Sequence, residues 1–278
     1  MIVKRRVVND CDIESFLKEL SLPKNLIKEL INMGRITLKG EVVTLKTLLK
    51  KDDIVSFNLD EYDKNDIIPY KKEINVIYED EEIILVKKDR GILIHSDGNS
   101  NDTLLNALSF YLTRQGCLNK ARCLHRIDVE TTGLVLFSKN IISYHYLNRQ
   151  MEEEKIKKIY LAILEGNLSN NKGKIEYSIG SDRHHNNRYV VSKNGKKALT
   201  IYEVLNRKNN KTLVKVEIKT GRTHQIRVHF SYIKHPLVGD KIYGNGGNLM
   251  LHSYILGFNH PATYKYQEYK CDNKDFKL

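Results

Sequence analysis

The chain has 278 residues, of which 41% are hydrophobic, so it can bury a substantial core and is not expected to be disordered as a whole. Its 46 Lys and Arg residues outnumber its 34 Asp and Glu residues, and the net charge of +12 favours an anionic partner, most commonly a nucleic acid. The charge is also compatible with a soluble protein from a proteome rich in lysine and asparagine, because net charge bears on association and not on fold.

The cysteines, Cys11, Cys117, Cys123 and Cys271, show no CxxC spacing, so neither a zinc ribbon nor a redox pair is predicted. Scattered cysteines in a chain of this length fit the reduced thiols of a cytosolic protein. The first residues, 1–6, lead into polar sequence without the apolar stretch of a signal peptide, and no apolar run approaches the length of a membrane span. We therefore expect a cytoplasmic protein that is not attached to a membrane.

The first 58 residues show the pattern of a small unit built from two helices and a hairpin. Apolar residues recur at helical spacing over 13–20. A proline then restarts a helix, in whose first turn it is tolerated, and a second apolar face follows over 26–31. A hairpin over 36–43 and a strand at 53–57 complete the pattern.

This pattern resembles the small RNA-binding domain named after a primary-binding ribosomal protein of the small subunit. The resemblance implies contacts with the RNA backbone near the second helix, where Lys24, Lys28 and Arg35 lie. The alternative is that these three residues belong to a solvated basic face of the kind found on many soluble proteins.

A polar and charged segment, 59–72, is interpreted as a linker to a second domain, 73–278. That domain contains many β-rich runs with a few helical patterns between them, which indicates an α+β architecture. The predicted helices are 102–112 and 141–154, and the predicted strands are 74–78, 83–86, 134–137, 159–164, 198–204 and 213–218.

The most informative stretch is His-Arg-Ile-Asp at 125–128, which is followed by a turn-prone Thr-Thr-Gly and then by an apolar strand. Asp128 is therefore predicted to lie on a loop that a rigid element holds in place. A carboxylate held beside fixed cations stays ionised and can serve as a nucleophile, a base or a metal ligand. The stretch superficially resembles the His-Arg-Asp loop of protein kinases, but an extra residue precedes the aspartate and no Gly-rich phosphate loop comes before it.

Three further segments hold more polar and special residues than packing requires. In one of them, Ile226, Phe230 and Ile233 share one helical face, which predicts a helix capped by Thr223. The alternation of Ile-Arg-Val-His-Phe in the same segment leaves a strand as the alternative. The segments are Lys-Ile-Tyr-Leu-Ala at 158–162, Thr-Gly-Arg-Thr-His-Gln-Ile-Arg-Val-His at 220–229, and His-Pro-Leu-Val-Gly-Asp at 235–240, with Leu-His at 251–252.

Together these segments resemble the motifs of the RluA/RluD-type pseudouridine synthases, which isomerise uridine in ribosomal and transfer RNA. That family carries a His-Arg-hydrophobic-Asp signature, a Lys-x-Tyr strand, a Gly-Arg-Thr/Ser-His-Gln-hydrophobic-Arg segment and a His-Pro-x-x-Gly-Asp loop, and the chain has them all in the same order. The resemblance spans about 74–261 and implies an α+β fold with a mixed or antiparallel sheet and flanking helices. One departure lies at 94–96, where Ile-His-Ser stands in place of the family's frequent Val-His-Pro.

The resemblance implies covalent catalysis, which splits a difficult isomerisation into easier steps. Asp128 is the implied nucleophile, and Arg227 is implied to grip its carboxylate. Tyr160 is expected to stack on the uracil or to assist removal of the carbon-5 proton. Arg126 is a candidate to fill the gap left by a flipped-out base, with a phosphate clamp as the alternative. His125 is interpreted as a structural histidine.

A second group of residues is expected to surround the substrate. Ile226 and Leu251 are predicted walls of the uracil pocket, with plain core packing as the alternative. Arg222, His224 and Gln225 are expected to bind or support at the site rather than to react.

The expected partner is RNA, with large-subunit ribosomal RNA as the predicted target and transfer RNA as the alternative. No cofactor, nucleotide or metal site is predicted, and the chain is expected to act as a monomer. A different class of function, a non-catalytic RNA-binding or ribosome-assembly protein, fits the charge and the N-terminal pattern equally well. The set of Asp128, Tyr160 and Arg227 favours the enzyme, because binding alone does not require it.

Overall fold

The computed structural model, which describes residues 1–60, 62–98 and 100–277, contains a four-stranded N-terminal sheet, a ten-stranded second sheet and two short two-stranded sheets. Within these ranges no helix has the length and apolar character needed to cross a membrane. The helices are α1 (Ile13–Glu19), α2 (Lys24–Asn32), α3 (Leu104–Arg114), α4 (Ile141–Glu152) and α5 (Gln225–Tyr232). The strands are β1 (Ile2–Arg6), β2 (Cys11–Asp12), β3 (Ile36–Leu38), β4 (Glu41–Val42), β5 (Leu48–Leu49), β6 (Ile54–Asn58), β7 (Asn75–Glu79), β8 (Ile83–Lys88), β9 (Arg122–Cys123), β10 (Thr132–Ser138), β11 (Lys157–Glu165), β12 (Lys172–Ile175), β13 (Ile179–Ser181), β14 (Tyr189–Val191), β15 (Thr200–Lys208), β16 (Lys211–Ile218), β17 (Leu251–Asn259) and β18 (Tyr266–Lys270).

Residues 1–58, called the N-terminal unit below, form α1, α2 and an antiparallel sheet of order β1-β6-β3-β4. Both helices lie where the apolar spacing predicts them, and Asp12 caps α1 by accepting the N–H of Ser15 at 2.7 Å. Strands β3 and β4 form the predicted hairpin, and its turn residues Lys39 and Gly40 have φ values of 53° and 89°. Left-handed backbone at both positions suits the twist of a tight hairpin.

Residues 73–277, called the large-sheet unit below, contain a sheet of order β12-β15-β16-β11-β17-β10-β8-β7, with β18 paired to β17 and β9 to β10. Its pairings are antiparallel except that of β10 with β17, which is parallel. The sequence predicts a mixed or antiparallel sheet, and the observed sheet is mixed and mostly antiparallel. Strand β10 is buried along its whole length, as its run of apolar residues predicts.

The parallel pairing of β10 with β17 depends on Gly133. This residue has a φ of 108°, and a Cβ added to it would lie 2.2 Å from the carbonyl oxygen of Ser253 on β17. Only glycine allows the two backbones to approach so closely at this backbone conformation. The loop that precedes β10 is therefore held at the junction of the two strands.

The segment 220–233 contains a helix, at 225–232, and no strand. Helix α5 begins at Gln225, after His224, whose φ of 54° and ψ of 20° place it in the left-handed region. The prediction that Thr223 caps this helix is wrong, because His224 occupies the N-cap position and no side chain bonds the free N–H groups there. Helix α5 therefore starts from a tight left-handed turn and not from a hydroxyl that caps its N-terminus.

The predicted linker, 59–72, is tied to the large-sheet unit where it is described. Asp63 is 2% exposed and its Oδ2 accepts the N–H of Ile141 at 2.8 Å, at the start of α4. Further along, the N–H of Tyr70 donates to the carbonyl of Asn106 at 3.0 Å. These contacts hold the segment against the unit that follows it.

Candidate active site

A cleft of about 950 Å³ is lined by the loop before β10, by β11, by the first turn of α5 and by the start of β17. Lys24, Lys28 and Arg35 lie outside it, on the N-terminal unit, where the first two are exposed and Arg35 donates to the carbonyl of Asp60 at 2.6 Å. The other predicted site residues line the cleft together: Arg126, Asp128, Tyr160, Arg222, His224, Gln225, Ile226, Arg227 and Leu251.

A buried lysine, Lys88, holds the loop that carries Asp128 by hydrogen bonds to backbone carbonyls. Lys88 is 1% exposed, and its Nζ donates to the carbonyl of Val129 at 2.8 Å and to two carbonyls of the loop after β8. Burial lowers the pKa of Lys88 to about 8, although Asp128 partly opposes the change, so the group carries its charge at pH 7. The N–H of Thr131 donates to the carbonyl of Asp128 at 3.0 Å, which closes the turn. Asp128 is thereby presented to the cleft by a rigid backbone.

Arg227 connects Asp128 to a second, fully buried carboxylate. Its Nη1 donates to Asp128 Oδ2 at 2.9 Å, while its Nε and Nη2 donate to the two oxygens of Asp240, each at 2.8 Å. The side chain of Asp128 is 26% exposed, whereas that of Asp240 is 0% exposed. The bidentate contact with Asp240 fixes the plane of the guanidinium, and the remaining N–H then fixes one oxygen of Asp128.

The charges of Arg227 and Asp240 stabilise each other. Burial would raise the pKa of Asp240, but the Arg227 guanidinium and the backbone N–H groups of Ile242 and Tyr243 outweigh it, and the pKa lies below its ordinary value. Burial likewise disfavours the charged form of Arg227, but the pKa of Arg227 is raised by Asp240 and Asp128. Arg227 and Asp240, called the clamp below, are therefore both ionised across the physiological pH range.

Tyr160 lies on β11 and is 6% exposed, with its side chain in the wall of the cleft. Burial, reinforced by the negative charge of Asp128, raises the pKa of Tyr160 above its ordinary value. The side chain is therefore a neutral phenol, with an apolar ring that can stack and a hydroxyl that can donate a hydrogen bond.

His224 is a second neighbour of the Asp128 oxygen that Arg227 contacts. The hydroxyl of Tyr243 accepts the N–H of Tyr189 at 2.8 Å and lies 2.9 Å from Nδ1 of His224. Burial lowers the pKa of His224, with Asp128 acting against it, so the ring is neutral. Because the Tyr243 hydroxyl can donate to Nδ1, we assign the ring proton to Nε2, which lies 3.7 Å from Asp128 Oδ2.

Comparison with known proteins shows which family the chain belongs to. Residues 82–232, more than half of the chain, match the family model described as RNA pseudouridylate synthase. The chain belongs to the RNA pseudouridine synthase family. Members of this family are isomerases, so the predicted enzyme class is confirmed.

Curated relatives of this synthase agree with the family match. The chain is 35% identical over 251 residues to "Uncharacterized RNA pseudouridine synthase YhcT" of Bacillus subtilis, and the aligned region covers 88% of the chain and 83% of that protein. It is 39% identical over 221 residues to "Ribosomal large subunit pseudouridine synthase D" of Buchnera aphidicola, and here the aligned region covers 79% of the chain and 68% of that protein.

Solved structures show the same fold. "Human RNA Pseudouridylate Synthase Domain Containing 1" superposes with a TM-score of 0.63 at 25% identity, over 72% of this chain and 84% of that one. "Human RNA Pseudouridylate Synthase Domain Containing 4" gives a TM-score of 0.59 at 22% identity, over 73% and 90% of the two chains, and supports the fold alone.

Gln225 and Arg222 of the synthase hold the turn before α5. The Gln225 amide accepts from the Thr220 hydroxyl at 2.7 Å and from the N–H of Arg222 at 3.1 Å, and it donates to the carbonyl of Leu199 at 3.0 Å. Nε of Arg222 donates to the carbonyl of Lys197 at 2.9 Å. These bonds position the first turn of α5, from which Arg227 reaches Asp128.

The basic pair before Asp128 is split between two environments. The Arg126 side chain is exposed at the mouth of the cleft, and its Nη1 lies 3.5 Å from Nε2 of His95, in the loop that departs from the family pattern. His125 points inward, and its Nε2 accepts the N–H of Leu136 on β10 at 3.2 Å. Burial lowers the pKa of His125 to about 3, so the ring is neutral and acts as a structural acceptor.

The sequence pattern missed three residues that complete the site: Asp240, Tyr243 and Lys88. Asp240 is the last residue of the recognised His-Pro-x-x-Gly-Asp loop, but nothing next to it in the sequence identifies Arg227 as its partner. The contacts of Tyr243 with His224 and of Lys88 with Val129 gave no local signal, because these partners lie 19 and 41 positions away. Among the described residues no group of three or more His, Cys, Asp or Glu side chains is placed to hold a metal ion.

Proposed function

We propose that the chain isomerises uridine to pseudouridine in large-subunit ribosomal RNA, with Asp128 as the nucleophile. The observation that carries the proposal is the contact of Asp128 Oδ2 with Arg227 Nη1 at 2.9 Å, in the wall of a cleft large enough for a nucleotide. One oxygen of Asp128 is occupied by the guanidinium, and the partly exposed carboxylate leaves the other available to a substrate.

The chemistry needs little besides this carboxylate. The bond between N1 and C1′ breaks, a bond between carbon 5 and C1′ forms, and the proton that leaves carbon 5 is balanced by one gained at N1. The reaction is redox-neutral, so a covalent adduct with Asp128 and a pocket in which the uracil can turn are sufficient. Ile226 and Leu251, which are buried at the cleft, provide apolar walls for that pocket.

Tyr160 is suited to hold the uracil by stacking. Its raised pKa makes the phenolate scarce, which disfavours the hydroxyl as a base, whereas the neutral ring provides a flat apolar surface beside Asp128. We assign to Tyr160 the orientation of the base during its rotation.

Arg126 is suited to replace the extruded base in the RNA stack. Flipping a uridine costs a few kcal/mol, and a planar cation at the mouth of the cleft can stack on the neighbouring bases. Its exposure at the rim leaves it free for this role.

The proposed target and domain roles draw on the relatives. Proteins named "Ribosomal large subunit pseudouridine synthase D" from Buchnera aphidicola, Borreliella burgdorferi and Vibrio cholerae are 31–39% identical to the chain. We infer that residues 1–58 are an RNA-binding domain that contacts the backbone through Lys24, Lys28 and Arg35, and that 73–278 is the catalytic domain. Transfer RNA is the alternative target.

The nucleophile is tested with Asp128→Asn, which keeps shape and removes the charge. We expect pseudouridine formation to be abolished while RNA affinity falls less than tenfold, because phosphate contacts dominate affinity. The exposed Asp89→Asn on the neighbouring loop is the matched control and should keep its activity. Product formation by the Asp128 variant would refute the assignment.

The target is tested by a carbodiimide-based pseudouridine map of total RNA from cells with and without the gene. We expect at least one signal in large-subunit ribosomal RNA to disappear. Loss of a transfer RNA signal alone would support the alternative target, and an unchanged map would favour a binding protein.

A further inference from the structure

The N-terminal unit meets the large-sheet unit through a buried ion pair. Arg5 on β1 is 1% exposed, and its Nη1 and Nη2 donate to the two carboxylate oxygens of Glu82 at 2.7 and 2.6 Å. Glu82 is 7% exposed and directly precedes β8 of the large sheet. A bidentate pair of this kind fixes both the distance and the angle between the groups.

The same carboxylate is bonded by the first turn of α4. The Ser143 hydroxyl and the Asn140 amide, the latter at 2.9 Å, both donate to Glu82 Oε2. Nη2 of Arg5 also donates to the Ser143 hydroxyl, at 2.8 Å. Glu82 thus has partners in both units, and removing Arg5 would leave its buried charge without the cation that compensates it.

An apolar contact continues this interface. Ile142 of α4 is 0% exposed and belongs to the same hydrophobic core as Val3, Leu17 and Leu30 of the N-terminal unit. Domains that move against each other usually meet through limited polar surfaces, whereas here one unit completes the core of the other. The interface therefore has the character of a fold interior.

Helix α4 carries this interface to the catalytic cleft. Its first turn holds Glu82 and the N-terminal core, and about 13 Å further along the axis its last turn places Met151 in the wall of the cleft. In the same last turn, Nη1 of Arg149 lies 3.4 Å from the hydroxyl of Ser21, three residues before the start of α2 at Lys24. The basic end of α2 is thus attached to the helix that borders the cleft.

We propose that the Arg5–Glu82 network locks the N-terminal unit in place, so that the basic face of α2 forms a fixed outer wall of the RNA-binding surface. An RNA long enough to reach from the cleft to Lys24 and Lys28 is then held at one set position relative to Asp128. This inference rests on the proposed function, because it assumes that both surfaces bind the same RNA.

The lock is tested without RNA by hydrogen exchange on the full chain. We expect Arg5→Met to raise amide exchange over 140–147 at least tenfold while exchange over α2 stays unchanged. The matched control is Arg6→Met, one position along β1, where the arginine is 67% exposed and pairs with Asp52 inside the N-terminal unit. Unchanged exchange over 140–147, or an equal rise over α2, would overturn the proposal.

Its consequence is tested with the transcript identified by the pseudouridine map, used in full length and trimmed to the stem-loop around the target uridine. We expect Arg5→Met to lower kcat/KM at least tenfold on the long RNA and less than twofold on the short one. Lys24→Ala/Lys28→Ala should give the same pattern, and adding Arg5→Met to it should cause little further loss. Equal losses on both RNAs, or additive losses, would overturn the proposal.

Two further variants keep these tests decisive. If Arg5→Met does not yield soluble protein, Glu82→Gln, which keeps the shape of the side chain, is measured in the same way with the same expected results. Asp128→Asn on the short RNA separates the two hypotheses, because it reports on the nucleophile whether or not the N-terminal unit is locked.

Discussion

At the scale of individual residues, a single guanidinium organises the candidate active site. Arg227 donates two hydrogen bonds to Asp240, whose side chain is buried, and one to Asp128, whose side chain is partly exposed to solvent. The buried partner fixes the cation, and the cation fixes the exposed carboxylate. We therefore propose that Asp240 is a positioning residue that acts on Asp128 through Arg227.

Removing the charge of Asp240 should therefore damage catalysis more than binding. We expect Asp240→Asn to lower kcat about 100-fold, equivalent to ~2.7 kcal/mol, because the guanidinium loses its bidentate anchor. KM for RNA should change less than threefold. Steady-state kinetics on an unmodified transcript of the target RNA would measure both.

The Arg227→Lys background separates this role from a purely structural one. Asp240 also accepts the N–H groups of Ile242 and Tyr243, and loss of those bonds could disturb the loop by itself. If Asp240 acts through the guanidinium, Asp240→Asn should add little to the loss caused by Arg227→Lys. A full additional 100-fold loss would show that the loop, and not the clamp, needs Asp240.

His125 should give stability a defined pH dependence. Its pKa is lowered to about 3 by burial, against about 6.5 in an unfolded chain, so between these values the unfolded state binds the extra proton. Stability should thus fall as pH decreases from 6.5 towards 3, by at most about 1.4 kcal/mol per pH unit from this group. Denaturant unfolding of His125→Gln from pH 7 to 4 should show a shallower slope than the wild type, and parallel curves would refute this origin.

At the scale of secondary structure, the sequence predicted elements whose apolar pattern is local. Helices α1, α2, α3 and α4 and the buried strand β10 have such patterns and lie where expected. Strand β18, Tyr-Gln-Glu-Tyr-Lys, has no apolar face to recognise, because it exists by pairing with β17 at the sheet edge. The sequence predicted Thr223 as the cap of α5, but the helix starts after His224, whose left-handed backbone ends the preceding turn.

The site could be predicted as a set of residues but not as an arrangement. Asp128 and Arg227 are 99 positions apart, and only the parallel junction of β10 with β17 and the turn before α5 bring them together. The partner of Arg227 was invisible in the sequence for the same reason, since nothing local to Asp240 distinguishes a buried anchor from a loop cap.

The parallel junction itself should be intolerant of any side chain at Gly133. We expect Gly133→Ala to destabilise the protein by more than ~3 kcal/mol or to prevent folding, because its Cβ would overlap the backbone of Ser253 at 2.2 Å. Gly116→Ala is the matched control, since that glycine has a φ of 78° with nothing within 4 Å of an added Cβ. It should lose only about 1 kcal/mol from backbone strain. Equal destabilisation of the two variants in urea would show that strain, and not the close approach, explains Gly133.

At the scale of the whole molecule, the two units and the cleft form one continuous scaffold. Asp63, Glu82 and Ile142 each join segments that lie far apart in sequence, and all three are buried where α4 begins. The net charge of +12 is therefore carried by a body with a defined shape. A rigid cationic surface can match the spacing of phosphates on folded RNA, which a mobile basic tail cannot do.

The salt dependence of RNA binding should show which cations take part. Each neutralised phosphate contributes about −0.7 to −0.9 to the slope of log K against log salt concentration, so Lys24→Ala/Lys28→Ala should make the slope shallower by about 1.4 to 1.8. The control is Lys172→Ala/Lys174→Ala, because these lysines of β12 pair with Glu203 and Glu176 at 2.8 and 3.2 Å on an edge of the large sheet. That variant should keep the wild-type slope when binding is followed by fluorescence anisotropy from 50 to 300 mM salt. If the two double variants changed the slope equally, the contribution of α2 would be that of general charge and not of a contact with phosphate.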